Sequence, residues 1–237
     1  MRIKGFEPFS ASDWPGRLAA VIFCGGCNLA CGYCHNSRLI HDAAPWLDEE
    51  EVFAELERRR FMLDGVVVSG GESTLQPDLA EKTARLKEMG YLVKLDTNGL
   101  RPEVLKPLLE SGSVDFVALD FKTPLDDAWL AKICGARPGS AERIRESYRI
   151  VAESGAEREW RTTCAPGVTG EALLRMADEL REIAGPEAPW FWQQYRVPEQ
   201  GADPALEPAL GFGEVSVLRE RAIPRPELRG WDVDSGR

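Results

Sequence analysis

The chain has 237 residues, with 39 acidic against 29 basic side chains and a formal net charge of −10. Nucleic-acid binders draw on basic charge to displace counterions, and membrane-surface proteins want it too, so both classes start behind. The longest apolar run, Leu18 to Cys24, is far short of a bilayer span, and MRIKGFEPFSASDWPGR has no apolar stretch fit for a signal peptide. A cytoplasmic protein without nucleic-acid or membrane partners is expected. At this size folding removes roughly 70–75% of the unfolded surface, so a core needs no staples.

In chain order, LAAVIFC (18–24) predicts a first strand. A helix follows from about Asp48, where Asp48 and Glu51 have capping-box spacing and Val52, Phe53 and Leu56 share a face. GVVVS (65–69) is a second strand, followed by a helix over about 77–89. YLVKLD (91–96) is a third, with a short helix after Pro102, and VDFVALDF (114–121) a fourth. Helices near 125–133 and 140–154 come next, the second after a Pro-Gly-Ser turn. REWRTT (158–163) is a fifth strand, a helix covers about 169–183, and PWFWQQY (189–195) is a sixth strand. The stretch 197–211 reads as loop, 213–221 as a last helix, and the Pro-rich end from Pro224 as irregular. Six β/α units with continuous apolar strands predict a parallel sheet covered by helices. That leaves a doubly wound sheet or a barrel two units short of eight. No repeat, low-complexity tract or linker interrupts the chain, which reads as one domain.

The unusual residues gather at the ends of these strands. Cys27, Cys31 and Cys34 follow the first, and Gly70, Gly71 and Glu72 the second. Asp96, Thr97, Asn98 and Gly99 close the third, Asp120 and Lys122 the fourth, Arg161 and Thr163 the fifth, and Gln193, Gln194 and Tyr195 the sixth. Taken singly each reads as a turn or a solvated edge. Parallel α/β folds, however, bind ligands at the carboxyl ends of their strands, and packing does not explain six such ends in succession.

Four of the six cysteines lie in CGGCNLACGYC, positions 24 to 34. In reducing cytosol such a cluster points to metal or redox chemistry, and thiolates select zinc, copper(I) or iron–sulfur clusters. All four could in principle close a zinc site, although structural zinc motifs usually split into two CxxC pairs across a longer loop. Cys24 belongs to the strand pattern, and three thiolates in one short loop suit a compact cluster with one open metal position. Cys134 and Cys164 read as small buried hydrophobes.

The motif CNLACGYCHN, a CxxxCxxC with an aromatic before its last cysteine, resembles the radical S-adenosylmethionine superfamily. The blocks SGGESTLQPDL, KLDTNGLRPEVL, FVALDFKTPL and EWRTTCAPGVTGE are similar to those of the pyruvate formate-lyase activating enzyme group. The DWPGRLAAV opening, RTT and WQQY most resemble the single-domain anaerobic (class III) ribonucleotide reductase activating proteins. The resemblance covers about 10–222 and leaves a Pro-rich tail of about 223–237. It implies a partial (β/α)6 barrel within a single radical SAM domain spanning 1–237. It also implies one 4Fe–4S cluster on Cys27, Cys31 and Cys34, with S-adenosylmethionine on the fourth iron. The activity implied is glycyl radical formation on a partner, an anaerobic ribonucleoside-triphosphate reductase, with a flavodoxin- or ferredoxin-type electron donor.

On that resemblance Gly70 and Gly71 let the backbone approach the cofactor's amino group, and Glu72 anchors the turn or accepts from the ammonium. Tyr33, His35 and Asn36 are expected against the adenine, with a capping or packing role the alternative for His35. Asp96, Thr97 and Asp120 offer oxygens to a monovalent cation. Lys122 suits the cofactor carboxylate or ribose, and Arg161 and Thr163 point at the same rim. Several features depart from the pattern or narrow it. No proline follows Glu72, which predicts a looser turn at Ser73. No histidine stands near Arg196. Cys24 reads as a buried strand residue rather than a redox-sensitive neighbour, and His41 as structural or solvated. No cysteine lies between Cys34 and Gly65, which leaves no room for a ferredoxin-like insert. The loop after Tyr195, with Arg219, Arg221, Arg225 and Arg229, is a docking surface or simply a solvated basic face. Two rival readings stay open: a radical enzyme acting on a small molecule or peptide, and a non-catalytic zinc or electron-transfer module that uses all four clustered cysteines.

Overall fold

The computed structural model describes residues 1–37, 45–197 and 204–231. His41 and part of the loop expected at 197–211 lie outside them. One sheet of eight strands runs through the molecule in sequence order: β1 (Ile3–Ser10), β2 (Ala19–Cys24), β3 (Gly65–Gly70), β4 (Leu92–Thr97), β5 (Phe116–Asp120), β6 (Glu157–Thr163), β7 (Trp190–Gln193) and β8 (Glu227–Arg229). β1 is antiparallel to β2, and every later neighbour is parallel. The β1 and β8 edges do not pair with each other, so the sheet stays open, as a partial barrel does.

The crossovers carry helices α1 (Glu49–Arg59), α2 (Leu79–Glu88), α3 (Pro102–Glu110), α4 (Asp127–Cys134), α5 (Ser140–Glu153) and α6 (Gly170–Ala184), with α7 (Phe212–Arg219) ahead of β8. Their starts follow local chemistry. The Asp48 carboxylate caps α1 by accepting from Glu50 N and Glu51 N, and Asp126 caps α4 by accepting from Ala128 N and Trp129 N. Among the described residues no helix is long and apolar enough to cross a membrane.

Two strands differ from the sequence expectation. β1 (IKGFEPFS) is half-exposed, so it lacks the continuous apolar run that marks the inner strands. β8 has only three residues and lies in the stretch expected to be irregular. It pairs with β7, and its Arg229 guanidinium donates to Glu159 Oε2 at 2.8 Å.

The two faces of the sheet do different work. Val66, Val68, Val93, Leu95, Val117, Leu119, Trp160, Trp190 and Trp192 pack against the helices in the main core. The opposite face begins with a smaller cluster of Ala19, Val21 and Val67 around Trp14. Trp14, only 2% exposed, plugs the end from which the parallel strands start. It packs edge-on to Phe116 at 5.8 Å, and a Cβ on Gly65 would fall 2.6 Å from its ring. Above it the face turns polar. Lys94 Nζ donates to Asp13 O at 2.5 Å and lies 3.5 Å from Asp96 and 3.8 Å from Glu159. The segment before β2 is therefore stitched across the barrel floor by one indole and one lysine. Trp14→Ala is expected to lower stability by about 3–5 kcal/mol, read as a lower urea midpoint. An unchanged midpoint would show that the indole is not a plug.

Candidate functional site

Past Cys24 the chain leaves the sheet as a short loop carrying Cys27, Cys31 and Cys34. The loop is fixed from two sides. From one, the last turn of α4 presents carbonyls: Ala30 N donates to Cys134 O at 2.8 Å and Gly32 N to Ile133 O at 3.3 Å. From the other, the turn after β3 presses against it: Gly71 N donates to Cys24 O at 2.9 Å and Glu72 N to Gly26 O at 2.8 Å. A side chain could not fit here. A Cβ on Gly71 would lie 2.1 Å from Gly26 O, and Gly70 has φ +118 with Cys24 N only 2.3 Å from its would-be Cβ. Asn36 Nδ2 closes the approach by donating to Gly70 O at 3.1 Å.

The three loop cysteines line one cavity of about 210 Å³ together with Leu29, Tyr33, His35, Asn36, Gly70, Gly71, Asn98, Asp120, Lys122 and Thr163. A larger groove of about 850 Å³ lies between α2 and α3, on the outer side of the helices, and has no cysteine or histidine in its lining. The chemistry belongs to the smaller one. The thiols are unequal. Burial pushes Cys27 up to about 11, opposed by the Leu29 N–H that reaches its sulfur at 3.4 Å. Burial also raises Cys34. Cys31 is lowered, first by a hydrogen bond from the Cys134 thiol and then by the Lys122 charge. Cys24 is fully buried in the main core and burial pushes it up to about 12. It sits where a strand residue should.

Glu72 is 1% exposed. Its Oε1 accepts from Thr74 N, Thr74 Oγ1 and Thr97 Oγ1 at 3.1, 2.5 and 2.6 Å, and its Oε2 from Asn98 N at 2.8 Å. Of the two roles expected for it, this is the turn anchor; it does not line the cavity. The looser turn expected at Ser73 is not found, because the buried Ser73 hydroxyl donates to Val68 O and Ser69 O at 3.1 and 3.2 Å. The hydroxyl does the fastening that a proline ring would otherwise do.

Arg161 bridges two strand ends, donating to Asp96 Oδ2 at 3.2 Å and Asp120 Oδ1 at 3.0 Å, while Lys122 donates to Asp120 Oδ2 at 3.0 Å. Burial alone would raise Asp120, but Lys122 and Arg161 outweigh it and hold the carboxylate below its ordinary value. Burial would lower Lys122, and Asp120 reverses that and keeps it charged. These pairings bear on the cation site expected at Asp96, Thr97 and Asp120. Both carboxylates already face fixed cations, and Thr97 turns its hydroxyl to Glu72. Asp96, Thr97, Glu72 and Arg161 stand behind the cavity rather than in its lining. At the far rim the His35 and Tyr195 rings lie 6.3 Å apart. Three arginines read as a docking surface are tied within the chain: Arg229 to Glu159, Arg219 to Pro226 O and Arg225 to Glu220.

Two contacts go beyond the sequence reading. Asn98, expected at the strand-end rim, lines the cavity and brings its carboxamide to Cys27. Cys134 reaches Cys31 only because α4 ends against the loop, which no local pattern reports. The donor set fits a soft, multi-iron centre. It offers three thiols on one loop, while the fourth nearby cysteine faces the core. Among the described residues no three Cys, His, Asp or Glu side chains are grouped closely enough to hold a single ion.

The model of the radical SAM superfamily matches residues 21–180. A Methanocaldococcus jannaschii protein provisionally named for glycyl-radical enzyme activation is 40% identical over 52% of this chain and 51% of its own length. The chain thus spans about half of that relative. The pyruvate formate-lyase-activating enzyme of Clostridium pasteurianum is 35% identical over 78% of this chain and 79% of its own. In fold, Streptococcus suis SuiB bound to S-adenosylmethionine superposes with a TM-score of 0.66 at 17% identity, over 85% of this chain and 45% of that one. With the superfamily model running from within β2 into α6, and an activating enzyme aligned over three quarters of the chain, this protein belongs to the radical SAM superfamily, in its group of activating enzymes.

Proposed function

We propose that the protein cleaves S-adenosylmethionine reductively and installs a glycyl radical on a partner enzyme, an anaerobic ribonucleoside-triphosphate reductase. The observation that carries the reading is that three loop thiols line one cavity together with the glycine turn after β3 and the Asp120–Lys122 pair. Cys27, Cys31 and Cys34 would hold a 4Fe–4S cluster. Gly70 and Gly71 leave the backbone open to the amino group of S-adenosylmethionine, while Tyr33, His35 and Asn36 line the side expected to receive its adenine. When bound, the two cofactors supply one-electron cleavage of the sulfonium and the hydrogen-atom abstraction that follows. Lys122, kept charged by Asp120, offers a fixed cation for the cofactor carboxylate or ribose, and Thr163 a hydroxyl beside it. Arg161 works from behind, holding Asp120 and Asp96 in place. Support for the reductase as partner is the likeness of the DWPGR, RTT and WQQY segments to activases of that class. The electron donor would be of flavodoxin or ferredoxin type.

The test is anaerobic. Iron- and sulfide-reconstituted protein, reduced with dithionite and given S-adenosylmethionine, is expected to form 5′-deoxyadenosine, and to give a glycyl signal by electron paramagnetic resonance when the reductase is added. A cluster-loaded sample that forms no 5′-deoxyadenosine with or without the partner would refute the activity. Product without a glycyl signal would move the reading to another substrate. Within the cysteine loop, Cys31→Ala is expected to lose the cluster, seen as loss of the brown chromophore and of bound iron. Cys24→Ala should keep both, and loss of iron there would overturn the ligand assignment.

A further inference from the structure

We propose that Asn98 is a positioning residue that donates a side-chain hydrogen bond to the sulfur of Cys27 and thereby makes the cluster easier to reduce. The inference rests on the cluster reading above. Asn98 is 3% exposed and follows β4 directly. Its backbone N–H is committed to Glu72 Oε2 at 2.8 Å, which fixes where the residue sits. Its Oδ1 accepts from Leu100 N at 3.0 Å. A backbone N–H needs an oxygen, so that contact decides which end of the carboxamide is nitrogen. The nitrogen then faces the cysteine loop. One of its two hydrogens serves Asn28 Oδ1 at 2.8 Å, and the other side of the same nitrogen lies 3.9 Å from Cys27 Sγ. Leu29 N–H approaches that sulfur at 3.4 Å. Cys27 is thus met by two N–H donors, one built into the loop and one brought from the next-but-one strand.

The direction of the effect follows from charge. Adding an electron to a thiolate-bound cluster increases negative charge on its sulfurs, so N–H donors favour the reduced form and raise the potential. Asn98 supplies this without a net charge, so its influence stays local to Cys27. The same geometry explains an amide at this position. An aspartate would keep the acceptor for Leu100 N but turn a carboxylate oxygen toward the sulfur.

Two variants of the reconstituted full chain separate the contributions. Asn98→Ser retains a neutral oxygen for the turn and has no donor long enough to reach Cys27. Asn98→Asp retains the turn and adds negative charge. The readout is the midpoint potential of the cluster without S-adenosylmethionine, from a potentiometric titration followed by electron paramagnetic resonance. At fixed potential the reduced-to-oxidised ratio of Asn98→Ser is expected to fall up to about tenfold, which is ~59 mV for a one-electron couple. Asn98→Asp should fall further. A merely loosened loop would admit water, which favours the more highly charged form and shifts the midpoint upward. Iron-replete variants with unchanged or raised midpoints would overturn the proposal. Failure of both to bind iron would overturn it too, in favour of a purely structural role. A wild-type chain that binds no four-iron cluster would overturn the functional reading with it, and iron analysis shows that before any potential is measured.

Discussion

The site depends on one close approach, the cysteine loop pressed against the glycine turn that ends β3. Gly26 O lies where any side chain on Gly71 would have to be, so the two segments meet backbone to backbone. Behind that contact sits the buried carboxylate of Glu72, accepting four donors from the ends of β3 and β4. Desolvation raises such a group, and the four hydrogen bonds oppose it. With the turn fixed, the loop has one place to lie, and α4 then secures its other side through the carbonyls of Ile133 and Cys134.

The open sheet makes this arrangement useful. Its outer face is covered by helices in the ordinary way, and its inner face runs from the Trp14 plug upward through paired charges to the cavity. Buried ion pairs contribute little net stability because desolvation offsets their attraction. Their consequence here is geometric. Arg161 spans β4, β5 and β6 by holding Asp96 and Asp120, and Arg229 fastens a three-residue strand through Glu159. Asp96 Oδ1 and Glu159 Oε1 face Lys94 Nζ at 3.5 and 3.8 Å, while Arg161 Nε is buried without a hydrogen-bond partner in the protein. The inner face is therefore polar, unlike the closed, side-chain-filled interior of a full barrel.

Electrostatics near the thiols follow the same logic of neighbours rather than of sequence spacing. Cys27 and Cys31 are four positions apart on one loop, yet burial dominates at the first and a hydrogen bond from Cys134 at the second. Lys122 acts on both, because the end of β5 faces the loop across the cavity. Burial, together with partners contributed by the end of β5 and by α4, sets apart three thiols that look interchangeable when written out.

The amino-acid sequence by itself determined the six inner strands, most of the helices, the three cysteines and the gathering of polar residues at the carboxyl ends. Those features are local: continuous apolar runs, caps such as Asp48, and a spacing of thiols that suits few chemistries. β1 and β8 were hidden because edge strands are short or half-exposed, and β8 is positioned by a distant partner, Arg229 on Glu159. The same holds within the site. Asp96, Thr97 and Asp120 share an oxygen-rich pattern, but only the folded chain decides that Arg161 and Lys122 take the carboxylates and Glu72 takes the threonine. Asn98 and Cys134 join the cysteine loop for a related reason: they lie 71 and 103 positions from Cys27 and Cys31, and packing alone brings donors that remote within reach of sulfur.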